Sequence, residues 1–391
     1  MEFKTRIDGM TLAALEATGA TKWASKDGSI GAFVAEMDFG VAPPVKQALL
    51  DAIEAANFGY LPTGLAHELS EATSGMLQQQ YGWQVDSSDI HAVPDVLKAL
   101  EIAIEHHAKP GSKIIVPTPA YTPFRIFPPM LGREVIEVPM ICDEGTYLFD
   151  MDGVERAFEE GGNLLVVCNP HNPTGRMFSR EELIKIGDLV DRHGGKVFAD
   201  EIWAPLVYPG NVHLPYASIN EVTAGHAITA ISASKAWNVA GLKCAQVITS
   251  NDHDREIWKR LAFQGAHGTS ILGAVANLAA YQKGFRWLEE VIPYLDRNRQ
   301  ALAQLVETHL PGVKCCPGEG TYVGWLDFNA LNLPASPAAF FQEHANVRLT
   351  EGKNCGQGFE NFARFIFATP LPIMELAIER MGRALLQQRL R

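Results

Sequence analysis

Between about residue 45 and residue 250, the sequence alternates between amphipathic helical patterns and short, almost entirely apolar segments. The apolar segments are residues 114–116, 135–138, 164–168, 196–199, 227–232 and 246–249. Strands that are apolar on both sides occur in parallel sheets with helices packed on both faces. The alternation therefore predicts an α/β fold built on a mostly parallel sheet.

Helical patterns precede the first of these segments at residues 44–58, 63–81 and 96–107, and another lies between two of them at residues 179–192. Ser179 and Glu182 match a capping box, which marks the start of the last of these helices. Parallel strands need crossover connections of a dozen or more residues, usually helical. The spacing of the helices therefore agrees with a parallel sheet.

The pattern changes after Gly284. A helix at 285–309, a strand at 321–328, a helix at 336–345, a strand at 362–367 and a helix at 372–389 are predicted there. The first forty or so residues do not fit the α/β alternation, so we expect them to pack with this part. We therefore predict a large α/β domain at residues 46–284 and a smaller α+β domain formed from residues 1–45 and 285–391.

Composition narrows the class of protein. The net charge of -12 argues against a nucleic-acid partner, because such a surface needs clustered lysine and arginine. No apolar run is long enough to span a bilayer, and the first residues lack the apolar core of a signal peptide. Six cysteines without C-x-x-C spacing favour reduced packing thiols over a metal site. We therefore expect a cytoplasmic protein with no membrane or metal association.

Polar side chains follow three of the predicted strands. Asn172, Asp200 and Lys235 each come at or shortly after the end of an apolar segment. The carboxyl ends of parallel strands meet at one edge of a sheet, where ligands bind. Each motif alone is typical of a turn or of a solvated strand end. Their order and spacing together indicate one site.

The three side chains suit the chemistry of pyridoxal 5'-phosphate (PLP). A lysine after a buried strand can hold an aldehyde as a Schiff base, and we assign this to Lys235. A buried carboxylate such as Asp200 would keep a pyridine nitrogen protonated. The amide of Asn172 can donate to the phenolic oxygen. Tyr121 would stack on the pyridine ring, although a place in the core explains this tyrosine equally well.

A phosphate dianion needs hydroxyls, amide N–H groups and a helix N-terminus. Ser232 and Ser234, close to the candidate lysine, supply hydroxyls. The backbone amides of Val96 and Leu97 lie in the first turn of the helix predicted at residues 96–107. We therefore expect the phosphate of PLP to lie between these groups.

Several segments resemble one family. They are V-A-E-M-D-F at residues 34–39, F-G-Y at 58–60, N-P-H-N-P-T-G-R at 169–176, D-E-I at 200–202 and S-A-S-K-A-W-N-V-A-G-L-K at 232–243. Over nearly its whole length the chain resembles the fold-type-I PLP enzymes of the aminotransferase class I/II group. More closely, it is similar to the MalY/PatB-type cystathionine β-lyases (cysteine-S-conjugate β-lyases). The resemblance implies a homodimer with shared active sites, and Lys235, Asp200 and Tyr121 as catalytic residues.

The resemblance also implies roles that residue types alone do not assign. Lys243 would join the phosphate ligands, and Arg364 would bind the substrate carboxylate together with Asn172. Tyr60 would reach the cofactor and the substrate in the site of the neighbouring subunit. Relatives commonly carry Tyr or His beside the phenolic oxygen where this chain has Trp203, whose indole N–H donates a hydrogen bond but accepts no proton. Trp203 would therefore bind the cofactor in a reduced version of that role, or it would face elsewhere.

The implied reaction is β-elimination from a small sulfur amino acid. L-Cystathionine or a related cysteine S-conjugate would yield a thiol, pyruvate and ammonia. An aminotransferase that uses 2-oxoglutarate or pyruvate stays open, because both reactions begin with loss of the Cα proton. A regulatory protein-binding module on the same fold is a third, minor interpretation.

Overall fold

A computed structural model of the protein describes residues 3–389. Its helices are α1 (Phe3–Asp8), α2 (Leu12–Glu16), α3 (Pro43–Glu54), α4 (Thr63–Tyr81), α5 (Val96–Ile102), α6 (Thr122–Met130), α7 (Met151–Glu159), α8 (Arg180–Arg192), α9 (Glu221–His226), α10 (Asp252–Ala266), α11 (Ile271–Lys283), α12 (Phe285–His309), α13 (Pro337–Ala345) and α14 (Leu371–Arg389). Its strands are β1 (Ile30–Gly31), β2 (Ile90–Val93), β3 (Lys113–Thr118), β4 (Val135–Pro139), β5 (Ile141–Asp143), β6 (Thr146–Leu148), β7 (Gly162–Cys168), β8 (Lys196–Asp200), β9 (Ala227–Ile231), β10 (Ala245–Thr249), β11 (Lys314–Cys315), β12 (Val323–Asp327), β13 (Val347–Arg348), β14 (Thr350–Glu351) and β15 (Phe362–Ile366). Within these residues no helix is both long and apolar enough to cross a membrane.

A seven-stranded sheet in the order β2-β10-β9-β8-β7-β3-β4 is the largest sheet of the described chain. Strands β4, β3, β7, β8 and β9 run parallel, whereas β10 is antiparallel to both of its neighbours. Residues 232–244 join β9 to β10 through a short 3-10 turn, so the chain returns in the opposite direction without a crossover helix. The predicted α/β fold with a mostly parallel sheet is confirmed.

The parallel register brings the ends of β7, β8 and β9 together. Cys168 lies opposite Asp200, and Asp200 lies opposite Ala230. The loops after these strands therefore begin side by side at one edge of the sheet. Asn172 and Lys235 lie on the two loops that flank Asp200.

Helix limits follow the sequence pattern closely where the local signals are strong. Helices α4 and α12 have the predicted limits, and Ser179 and Glu182 form the predicted capping box at the start of α8. The helix predicted at residues 44–58 ends earlier, because Ala56 adopts a left-handed conformation with φ of 52°. The helix predicted at residues 96–107 is α5 followed by one π turn.

The two ends of the chain pack together. Strand β1 pairs in parallel with β13, and the carboxylate of Asp8 accepts hydrogen bonds from Tyr294 and Arg297 in α12. A four-stranded sheet in the order β11-β12-β15-β14 belongs to the same part. The predicted domain limits, residues 46–284 against residues 1–45 and 285–391, stay a prediction. Residues 1, 2, 390 and 391 lie outside the described chain.

Residues 33–38, which we call the strap, follow β1 and are fixed by side chains on either side. Lys22 is fully buried and pairs with Asp38 at 2.8 Å. The side-chain amide of Asn238 accepts a hydrogen bond from the N–H of Met37 and donates one to its carbonyl. A buried ion pair and one amide therefore hold the strap backbone in place.

Replacing Lys22 by methionine is expected to destabilise the protein by about 3 kcal/mol, because the Asp38 carboxylate stays buried without its cation. Urea unfolding followed by fluorescence measures this change. Lys113→Met is the matched control, because the pair between Lys113 and Glu134 is largely exposed and its loss should cost under about 1 kcal/mol. Equal losses in the two variants would contradict the role of the buried pair.

Candidate active site

A cavity of about 380 Å³ opens where β7, β8 and β9 end. Ten predicted site residues line it: Val96, Leu97, Tyr121, Asn172, Asp200, Trp203, Ser234, Lys235, Lys243 and Arg364. Strap residues Phe33, Val34, Ala35 and Glu36 line it too, together with Asp95, Phe124, Ile202 and Ala240. Residues from the large sheet, from the strap and from β15 therefore meet at one cavity.

Lys235 lies in the turn after β9 and reaches the strap. Its ammonium donates to the Ala35 carbonyl at 3.1 Å and lies 5.5 Å from the centre of the Trp203 ring. Burial, together with the positive charge of Arg364, lowers the pKa of Lys235 to about 8. An amine with this pKa is partly neutral near pH 7, so it can act as a nucleophile and as a base.

The carboxylate of Asp200 is buried at the end of β8, and no cation among the described residues forms an ion pair with it. One oxygen accepts from the Ile202 N–H at 3.1 Å, and the other lies 4.0 Å from the Cys168 thiol. Burial raises the pKa of Asp200 to about 7. A cationic ring nitrogen placed here would stabilise the charged carboxylate and would keep its own proton.

Arg364 is a buried guanidinium that faces Asn172 from β15. Its Nη1 donates to the Asn172 side-chain oxygen at 3.2 Å, and its Nη2 donates to the Phe33 carbonyl at 3.0 Å and to the Thr350 hydroxyl at 3.3 Å. Within residues 3–389, its Nε has no hydrogen-bond partner. Burial lowers the pKa of Arg364. Since all of these acceptors are neutral, the guanidinium is suited to binding a carboxylate from a ligand.

The N-terminus of α5 and Lys243 form one end of the cavity. Asp95 caps α5 by accepting from the Lys98 N–H at 2.8 Å, and the amides of Val96 and Leu97 precede the first intrahelical donor. Asp95 also pairs with the Lys243 ammonium at 2.7 Å. A helix N-terminus beside a lysine suits a phosphate. Sequence reasoning missed Asp95, although its place before a helix is a capping signal.

Ser234 lines the cavity, whereas Ser232 lies behind it. The Ser232 hydroxyl donates to the Cys244 carbonyl at 2.7 Å and lies 2.7 Å from the Ser234 hydroxyl. Cys244 directly precedes β10, the neighbour of β9, so the residue that leads into the adjacent strand provides this acceptor. In the structure Ser232 therefore positions Ser234 and does not line the cavity.

Two aromatic rings border the cavity. Tyr121 precedes α6 and packs edge-on against Phe124 with a centroid distance of 5.5 Å, and burial raises its pKa. Trp203 packs edge-on against Tyr322 at 4.7 Å, and the Tyr322 hydroxyl donates to the Ala35 carbonyl at 2.9 Å. Lys235 therefore lies near both the strap and Trp203, and Tyr322 links Trp203 to the strap.

Tyr60 does not line this cavity in its own chain. Its side chain is 91% exposed and borders a second cavity of about 750 Å³, which Trp258 and Phe263 also line. The role that the resemblance implies for Tyr60 therefore requires a second protein molecule.

Comparison with known protein families gives a match over most of the chain. The family model for aminotransferase class I and II matches residues 33–380, which include the strap, the seven-stranded sheet and Arg364. The chain belongs to this family. The match extends over both the large sheet and the part that contains β15, so the predicted fold type is confirmed for both.

Individual relatives show which kind of enzyme within this family the chain is similar to. The cystathionine β-lyase of Corynebacterium glutamicum is 39% identical over 353 residues, which are 90% of this chain and 93% of that protein. Cystathionine β-lyase PatB of Bacillus subtilis (strain 168) is 33% identical over 358 residues, 90% of this chain and 92% of that protein. A solved structure from Corynebacterium diphtheriae, proposed to be a PLP-dependent β-cystathionase, has a TM-score of 0.91 and 38% identity, and covers 96% of this chain and 98% of its own. The resemblance to the MalY/PatB-type lyases is confirmed.

The buried Asp200 carboxylate predicts a pH-dependent stability of the ligand-free protein. Its pKa is about 7 in the folded state, whereas the ordinary value is 3.8. At a pH between these two values, folding is accompanied by uptake of a proton. The free energy of unfolding therefore falls as the pH rises through this window. Between about pH 5 and pH 8, the wild-type protein should lose about 2 kcal/mol relative to Asp200→Asn. Urea unfolding at both pH values measures the difference. Parallel pH profiles of the two proteins would contradict an unpaired, buried Asp200.

Proposed function

We propose that the protein is a PLP-dependent carbon–sulfur β-lyase. It would cleave L-cystathionine or related cysteine S-conjugates into a thiol (homocysteine from cystathionine), pyruvate and ammonia. The observation that carries the proposal is that Lys235, Asp200 and Arg364 line one cavity. An amine, an unpaired buried carboxylate and a guanidinium free to bind a carboxylate are the groups needed by a PLP enzyme that acts on an amino acid. The relatives named as lyases support the reaction type.

The residues of the cavity fit PLP. When bound, PLP supplies an aldehyde that an amine can capture and a pyridinium ring that takes up electrons. Lys235 would hold the aldehyde carbon, and Asp200 would keep the pyridine nitrogen protonated. Asn172 would donate to the phenolic oxygen, and Tyr121 would pack against the ring. A pKa of about 7 for Asp200 indicates that this carboxylate lacks the cation which a pyridinium provides.

The other end of the cavity fits the phosphate. The amides of Val96 and Leu97, the Ser234 hydroxyl and the Lys243 ammonium would hold it, and Ser232 would position Ser234. Asp95 keeps Lys243 at this end through their ion pair, which is 2.7 Å long. A phosphate dianion here would meet a helix N-terminus, a hydroxyl and a cation together.

The substrate would be bound by its carboxylate and attacked at its Cα proton. Arg364 and Asn172 would bind the α-carboxylate, which orients the Cα–H bond towards the amine of Lys235. Lys235, released from the aldehyde carbon when the substrate amine takes its place, would then remove the proton. The Cβ–S bond breaks with its electron pair on sulfur, and the thiolate leaves. The three-carbon enamine that remains hydrolyses to pyruvate and ammonia.

Transamination is the alternative within the same family, because it starts with the same proton removal. The family model that matches the chain is that of aminotransferases, so this alternative has a specific basis. The 39% and 33% identical relatives named cystathionine β-lyase favour elimination. The two reactions differ in their products, which makes a product assay decisive.

The purified protein with PLP and L-cystathionine is expected to release pyruvate and a free thiol in equal amounts. Alanine or an aromatic amino acid with 2-oxoglutarate should give little glutamate. Lactate dehydrogenase coupling and a thiol reagent measure the first reaction, and glutamate dehydrogenase coupling measures the second. Glutamate formation faster than pyruvate formation would support the aminotransferase. A protein that takes up no PLP would refute both enzymes.

Lys235→Ala should lower the kcat of pyruvate release by at least about 10³-fold, because the variant loses both the group that holds the aldehyde and the base. Lys113→Ala is the control, since this lysine lies outside the cavity and should keep wild-type turnover. Substantial turnover by Lys235→Ala would contradict the assignment.

We also propose a homodimer in which Tyr60 completes the site of the partner subunit. Phe58 and Phe263 are 61% and 84% exposed, and Phe263 borders the same large cavity as Tyr60. Clustered exposed aromatic side chains are typical of protein–protein contacts. A second copy of the chain would cover this surface and would give Tyr60 access to a ligand.

A hybrid dimer tests this arrangement. One chain carries Tyr60→Ala and the other carries Lys235→Ala, and two different affinity tags isolate the mixed dimer. If Tyr60 acts in the partner's site, one intact site remains and the hybrid should recover about half of the wild-type activity per dimer. Each parent homodimer is the control and should stay impaired. A hybrid no more active than the parents, or a monomer in solution, would contradict the proposal.

A further inference from the structure

Six charged side chains line the active-site cavity: Glu36, Asp95, Asp200, Lys235, Lys243 and Arg364. Two of them, Asp95 and Lys243, pair with each other. Three others are those assigned above to the cofactor and to the substrate carboxylate. Glu36 remains. Across residues 3–389, its carboxylate has neither a hydrogen bond nor an ion pair.

The position of Glu36 is fixed through its backbone. Its carbonyl accepts from the buried Lys22 ammonium at 3.3 Å, and its N–H donates to the Val34 carbonyl at 2.8 Å. The preceding carbonyl, that of Ala35, accepts from the Lys235 ammonium. Burial lowers the pKa of Lys235, and the negative charge of Glu36 acts in the opposite direction. The Glu36 carboxylate is therefore an unpaired anion close to the reacting amine.

Cystathionine carries a second amino-acid group on the far side of its sulfur. Once Arg364 binds the reacting α-carboxylate, the leaving half of the molecule must occupy another part of the cavity or its mouth. That half bears an ammonium group beside its own carboxylate, and simple S-alkyl cysteines lack both. An unpaired carboxylate in a partly desolvated cavity attracts such a cation more strongly than one in bulk water.

We propose that Glu36 is a specificity-determining residue that attracts the distal ammonium of cystathionine. This inference rests on the proposed lyase function and adds a substrate preference to it. It predicts that cysteine S-conjugates whose leaving half carries an ammonium group are processed better than conjugates of equal length without that group.

The matched substrate is S-(3-carboxypropyl)-L-cysteine, which is cystathionine without its distal amino group. The measured quantity is the ratio of kcat/KM for cystathionine to kcat/KM for this analogue. Glu36→Gln should lower this ratio by about fivefold or more, mainly through KM for cystathionine. Glu36→Asp keeps the charge and should retain most of the preference. Glu159→Gln, an exposed change of the same charge at the end of α7, should keep the wild-type ratio.

The possible results distinguish a failure of the inference about Glu36 from a failure of the proposed lyase function. An equal fall in kcat/KM for both substrates would overturn the inference, because Glu36 would then act through Lys235 and not on the distal ammonium. A wild-type ratio in Glu36→Gln would overturn it as well. Wild-type protein that holds PLP and releases pyruvate from neither substrate would refute the lyase function and the inference with it. A fall in the ratio confined to Glu36→Gln would support it.

Discussion

Two of the cations that line the candidate active-site cavity, Lys235 and Arg364, donate to backbone carbonyls of the strap. Lys235 contacts the Ala35 carbonyl at 3.1 Å, and Arg364 contacts the Phe33 carbonyl at 3.0 Å. These side chains come from different parts of the fold, since one follows β9 in the large sheet and the other lies in β15. The strap therefore sets their relative position, and its own position depends on the buried pair of Lys22 with Asp38.

Neutral acceptors matter for what the cavity can bind. A buried cation needs hydrogen bonds to offset the loss of water, and an acidic partner would also neutralise its charge. One carbonyl, one side-chain amide and one hydroxyl satisfy part of Arg364 without neutralising it. The guanidinium consequently keeps its attraction for a carboxylate, and the nearby Lys235 ammonium is destabilised by the same charge. The charge of Arg364 thus attracts a carboxylate and adds to the effect of burial in lowering the pKa of the lysine.

Sequence reasoning predicted the part of the site that follows from strand order. Asn172, Asp200 and Lys235 lie at the ends of consecutive parallel strands, so the fold class alone places them at one edge. Arg364 lies in a separate sheet, and no local pattern relates it to β8. Only the family resemblance identified it. Tyr60 also came from the resemblance, and a single chain cannot bring it to a site.

The rest of the site depends on contacts that residue type does not encode. The strap acts through the carbonyls of Phe33 and Ala35, and every residue has a carbonyl. Ser232 matches a phosphate-binding pattern. Its hydroxyl instead donates a hydrogen bond to the carbonyl of Cys244, the residue just before β10. Asp95 serves as a helix cap and as the partner of Lys243, and only the fold brings those two together. Such features follow from register and long-range packing.

The charges around Lys235 also explain how substrate binding would prepare the base. In the ligand-free cavity, burial and the positive charge of Arg364 lower the pKa of the amine to about 8. A substrate carboxylate bound to Arg364 would neutralise that charge, so a proton taken up by the neutral amine would be held more firmly. Trp203 borders the same amine but can only donate a hydrogen bond, so it cannot share the proton. In the proposed reaction, removal of the Cα proton would therefore fall to Lys235, and a carboxylate on Arg364 would stabilise the protonated amine that results.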